Sequence, residues 1–164
     1  MIPLELNKIA AHLRSEGIEA EIQKETNQLC ILYKIADREY PLFIRIYEGG
    51  ELLQLLAFLP CNTTPSTRAD TARLLHLVNK EIDIPGFGMD EDSEVVFYRC
   101  MIPAKGKLLN EKILDAFMSA SQVVCQSFAA VVAGVAYGAV TFDEVIKKSK
   151  EHNQSLSQSQ LKRE

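Results

Sequence analysis

Leu52-Leu53-Gln54-Leu55-Leu56-Ala57-Phe58-Leu59 is apolar at every position but one. Eight residues are short for a buried helix, and the Gly49-Gly50 pair just before them is a turn signal, so the run reads as a strand. With Gln54 the one exception, neither its odd nor its even positions form a polar row. That pattern suits a central strand buried on both faces rather than one with a solvated side.

Reading upstream, the apolar period stays at two. Ile22, then Leu29, Ile31, Tyr33 and Ile35, then Leu42, Ile44 and Ile46 fall on alternate positions, with Ala36-Asp37-Arg38-Glu39 and Glu48-Gly49-Gly50 as the turns between strands. Before them the period becomes helical. Leu6, Ile9, Ala10 and Leu13 share one face of a helix over residues 3–16, with Pro3 in its first turn and Gly17 as its left-handed stop.

Downstream, Thr64 as N-cap and Pro65 at the first helical position open a second helix that runs to about Ile82, its stripe formed by Ala72, Leu75, Val78 and Ile82 and flanked by Leu74 and Leu77. Pro85-Gly86 breaks it. A hairpin follows, in which Phe87 and Met89 pair across Asp90-Glu91-Asp92-Ser93 with Val95 and Phe97. Asn110 caps a long third helix with Ile113, Phe117, Ala120, Val124, Phe128, Val131 and Val135 as its stripe, and Thr141-Phe142-Asp143-Glu144 has the form of a capping box opening a fourth. The order α-β-β-β-β-α-β-β-α-α carries no βαβ alternation. It predicts an α+β fold, an antiparallel sheet packed by helices, in one domain over residues 1–148, with residues 149–164 a polar tail too poor in apolar groups to order.

The composition agrees with one packed core: 164 residues, 47% hydrophobic and 24% charged. A formal net charge of −4 provides no basic field for phosphate backbones, so no nucleic-acid partner is expected. The first residues, MIPLELNKIAAHLRSEG, lack the basic and uninterrupted apolar segments of a secretory signal. Cys30, Cys61, Cys100 and Cys125 form no CxxC pair, which points to buried free thiols in a reducing, cytoplasmic setting and not to zinc or a redox dithiol.

The chemistry-bearing patterns all have bland readings. Counting a calcium loop from Asp90 puts Val95 where glycine is required and Met101 where a bidentate glutamate is required, so the acidic run reads as a hairpin turn. Gly86-Phe87-Gly88 has no third glycine and no strand-loop-helix unit around it. His12, His76 and His152 have no metal-ligand spacing, and Cys125 sits mid-helix, where burial would raise its thiol pKa. No catalytic residue, cofactor site or metal site is expected. Residues 116–141 contain no charged residue and include Gly134-Val-Ala-Tyr-Gly138, so length would permit a membrane span. Ser119, Ser121, Gln122, Gln126 and Ser127 favour burial on a sheet instead, the small residues allowing close helix approach or a dimer contact.

Leu74-Leu75-His76-Leu77-Val78-Asn79 closing one helix, the following hairpin GFGMDEDSEVVFYR (86–99) and the element order together resemble the YbjN family of bacterial proteins over roughly residues 1–148. The resemblance implies the fold of the type III secretion chaperones, small acidic homodimers that hold unfolded segments of other proteins. It also implies a regulator without enzymatic activity, since some members are described as sensory transduction regulators. The expected function is therefore a non-enzymatic protein-binding module, an adaptor or chaperone-like regulator and a homodimer, with a protein partner added to a sheet edge or laid beside a helix. The alternative is a small-molecule or signal sensor with a pocket between sheet and long helix. Apolarity nominates Leu74, Leu77 and Asn79 on the second helix for the interface, with Leu53 and Leu55 if their strand is an edge.

Overall fold

The computed structural model of the protein describes residues 1–35, 38–47 and 49–161; Ala36, Asp37 and Glu48 of the expected turns and the last three residues of the tail lie outside the described residues. The elements are β1 (Ile2–Pro3), α1 (Leu6–Ser15), β2 (Glu21–Gln23), β3 (Gln28–Ile35), β4 (Arg38–Ile46), β5 (Leu52–Asn62), α2 (Arg68–Glu81), β6 (Phe87–Met89), β7 (Val95–Pro103), β8 (Leu108–Leu109), α3 (Glu111–Ala136) and α4 (Phe142–Leu161). Six strands form one antiparallel sheet in the order β2-β3-β4-β5-β7-β6. This is the α+β order read from the sequence, with β1 and β8 added as a two-residue ladder, Ile2 opposite Leu109 and Pro3 opposite Leu108. Two residues are too few to show a period.

Each main element follows from its residues. Strand alternation puts Leu29, Ile31, Leu42, Ile44, Leu53, Leu55, Tyr98 and Ile102 on one face of the sheet, where they form a single core with Ile9 and Leu13 of α1, Leu74, Leu75 and Val78 of α2, and Leu114, Met118 and Cys125 of α3. α4 packs on α2, with the Arg73 guanidinium 4.1 Å from the Phe142 ring centroid and Asp70 accepting from the Phe142 amide at 3.0 Å. The capping box forms as read: the Thr141 hydroxyl accepts from the Glu144 amide at 3.2 Å, and the Glu144 carboxylate accepts from the Thr141 amide at 2.8 Å.

Three expectations need correction. α2 begins at Arg68 and not at Thr64, because residues 64–67 form a turn whose Thr67 hydroxyl donates to the Ala136 carbonyl at the end of α3, 2.8 Å away. Its buried stripe is Thr71, Leu74, Leu75 and Val78, while Ala72 is exposed. In α3 the Asn110 cap accepts from the Ile113 amide at 3.4 Å, but the core stripe is Leu114, Met118, Ser121, Cys125, Ala129 and Val132. The expected stripe from Ile113 to Val131 lies one position round the helix and is exposed or half-buried; Val135 alone of it is fully buried. Both rows are apolar, and the choice is tertiary: Tyr33 donates from its hydroxyl to the Met118 carbonyl at 3.2 Å, and small residues let α3 approach the sheet. Finally, α4 is helical through Leu161, inside the segment whose composition predicts no order; helix hydrogen bonds are local and do not require an apolar core.

Candidate functional site

The residues nominated from apolarity do not gather on a surface. β5 lies between β4 and β7, so it is not an edge, and Leu53 and Leu55 are completely buried on the helix-covered face. Leu74 is 2% exposed in the same core, and Leu77 is half-buried. Asn79 is a structural clamp. Its side-chain oxygen accepts from the amides of Gly86 and Phe87 at 3.1 and 2.9 Å, and its nitrogen donates to the Phe87 carbonyl at 2.9 Å, tying the end of α2 to β6. For Leu53, Leu55 and Leu74 the expected interface is thereby corrected, because these leucines fill the core.

One open stretch of sheet edge lies on β3. β2 pairs with only Gln28–Cys30, so from Ile31 onward β4 is the sole strand neighbour of β3 among the described residues. Donation from the Tyr47 amide to the Leu52 carbonyl at 3.0 Å fixes the phase of the ladder. By the alternation of antiparallel pairs, Leu32 and Lys34 of β3 then direct their N–H and C=O groups away from β4. A cleft of about 920 Å³ runs beside this edge, floored by Cys30–Lys34, walled by Gly17–Glu21 and closed by Gln122 of α3. Arg14 braces the wall by donating to the Ala20 carbonyl at 2.7 Å. Leu32 is 53% exposed at the centre of the strip. The sequence signal for this edge is the brevity of β2, enclosed by the polar run Lys24-Glu25-Thr26-Asn27.

The outer face of the sheet, opposite the helices, is also unusual. Its cross-strand rows are Cys30, Phe43, Leu56 and Arg99 and, next to it, Leu32 and Pro41 with Phe58, Phe97 and Gly88. Most of these apolar side chains are half-buried among themselves, and none belongs to the core. Phe43 and Phe58 meet edge to face at 5.8 Å, and Phe97 lies over Gly88, where an added Cβ would come within 2.7 Å of the ring. A polar row of Gln28, Arg45 and Gln54 borders them, with Arg45 donating to Gln28 at 3.0 Å and Gln54 to the Tyr47 hydroxyl at 3.1 Å.

The remaining titratable groups have structural partners. His12 Nε2 is 2.7 Å from Asp115 Oδ1, joining α1 to α3. Asp90 accepts from the amides of Asp92 and Ser93 at 3.0 and 2.9 Å, so the acidic run is a side-chain-stabilised turn, and those bonds hold its pKa below the usual carboxylate range. Burial pushes the thiols up, Cys125 to about 12 and Cys100 and Cys61 to about 11, which suppresses the thiolate form. Cys30, half-buried on the outer face, is raised by desolvation and by the nearby Glu21. No group of three or more His, Cys, Asp and Glu able to hold a metal ion occurs among the described residues. α3 is long and apolar enough to cross a membrane, with a mean hydropathy of 1.5 over its most apolar window, but its stripe from Leu114 to Val132 is part of the core.

Comparison with known proteins bears on the whole arrangement. No curated protein matches the chain. Among solved structures, the crystal structure of YbjN from E. coli is similar, with a TM-score of 0.59 at 11% identity over 79% of this chain and 95% of that one, a likeness of fold. The YbjN family model, described as “Putative bacterial sensory transduction regulator”, matches residues 5–133, from the start of α1 almost to the end of α3. The chain belongs to the YbjN family.

Proposed function

We propose that the protein is a non-enzymatic regulator, homodimeric and cytoplasmic, that binds an extended segment of a partner protein as an added strand on β3. The observation that carries the reading is the open edge from Ile31 to Lys34 beside a cleft lined by Cys30–Lys34. Strand addition supplies main-chain hydrogen bonds for affinity and leaves alternate side chains to set specificity. The family description as a regulator, the high thiol pKa values and the lack of a described metal cluster fit a task without chemistry. Free thiols fit a reducing compartment.

Leu32→Pro tests this. Proline removes one amide that points to the open edge and is tolerated on edge strands, so the variant should keep the wild-type melting temperature. Affinity capture from the native extract is expected to yield a stoichiometric partner with the wild type and to lose it with the variant. Equal recovery by a folded Leu32→Pro variant would overturn strand addition on β3.

A further inference from the structure

The helices cover one face of the sheet, yet β5 is apolar on both. Leu53, Leu55 and Ala57 face the core, while Leu56 and Phe58 join Phe43 and Leu32 on a bare outer face. We propose that a second copy of the chain covers it, the two sheets packing face to face about a two-fold axis that runs between them, perpendicular to the strands, and passes over β4 midway between Pro41 and Phe43. This rests on the homodimer reading above and assigns its interface.

The reason for choosing a second copy is the order of residues on the outer side of β4, Glu39, Pro41, Phe43, Arg45: acid, apolar, apolar, base. A two-fold axis reverses that order, so Glu39 of each copy lies over Arg45 of the other while Pro41 and Phe43 meet at the centre, an isologous and charge-complementary contact. Both charged side chains are exposed, and neither enters an ion pair among the described residues; Arg45 donates only to the neutral Gln28. A broad sheet face also fits another sheet about 10 Å away better than it fits one extended peptide, which would cover a single row. The axis leaves both β3 edges at the rim, free for a partner strand.

The test uses Glu39→Arg, Arg45→Glu and the doubly swapped Glu39→Arg/Arg45→Glu, with molar mass followed by light scattering over a dilution series and fold checked by circular dichroism. The expected result is a wild-type dimer, weakened by about tenfold or more in either single variant because each places like charges together, and restored in the double variant. A monomeric wild type would overturn both the homodimer and its interface. A wild-type dimer indifferent to the single reversals, or single reversals that the swap does not rescue, would overturn this interface alone and leave the homodimer standing.

Discussion

Leu55 and Leu56 are adjacent, chemically identical and on the same central strand, yet one is completely buried against the helices and the other keeps part of its surface in water. The two faces of the sheet differ in the same way throughout. On the inner face the apolar side chains share one core with α1, α2 and α3; on the outer face Phe43 and Phe58 meet edge to face, and Leu56 and Phe97 lie across the strands from them, outside that core. Apolarity in a sequence therefore marks a demand for burial, and the fold of one chain satisfies only half of it here. The other half is the physical basis for looking to partners.

Truncating each face in turn gives the largest expected effect. Leu55→Ala should lower the unfolding free energy by about 3 kcal/mol through lost transfer energy and an unfilled cavity, whereas Leu56→Ala should cost about 1 kcal/mol in dilute protein. Denaturant titration compares them. If the cost of Leu56→Ala rises with protein concentration while that of Leu55→Ala does not, the outer face is covered by a second copy. Next in size, Asn79→Ala should destabilise by roughly 2 kcal/mol without changing partner binding, since it strands the buried backbone groups of β6 that Asn79 now satisfies; selective loss of binding with unchanged stability would return Asn79 to the interface.

The buried thiols separate inner from outer face by pH. Cys125, Cys100 and Cys61 have folded pKa values raised above their ordinary value of 9, so the unfolded chain releases protons first. Stability should hold below about pH 9 and fall as pH rises toward 11 to 12. Melting curves from pH 8 to 11 should show that fall, flattened in Cys125→Ala. Near neutral pH, a thiol reagent should modify half-buried Cys30 before the other three. The smallest effect belongs to the α4 cap. Thr141→Ala should cost roughly 1 kcal/mol of local helix stability. The Glu144 carboxylate, held below its usual pKa chiefly by hydrogen bonds from Thr141, supports the cap above the ordinary carboxylate range and loses that support as pH falls through its depressed value. Hydrogen exchange at the α4 amides should show the acid-induced opening, absent in Glu144→Gln.

Much of this was legible without coordinates. The Asn110 cap, the Thr141–Glu144 box, the strand period and the order of the ten main elements all rest on interactions within a few residues, and those the sequence states directly. The burial of the nominated interface residues was not legible. Leu74 and Asn79 become candidates through the apolarity of their helix end; what occupies the asparagine is the backbone of β6, eight residues further on. On α3, two adjacent apolar rows compete, and Tyr33, 85 residues away, takes the carbonyl of Met118 in one of them.

By itself, the sequence determined that the protein has an antiparallel α+β fold with β5 wanting cover on both sides, because period, caps and turn residues act over short distances. Tertiary structure alone decided that β5 is central, that β3 has an open edge, that α3 turns its Leu114–Val132 row inward, and that Glu39 and Arg45 flank an apolar face outside the core. Those outcomes depend on which elements become neighbours, and neighbours far apart in the chain are chosen by packing and not by local propensity.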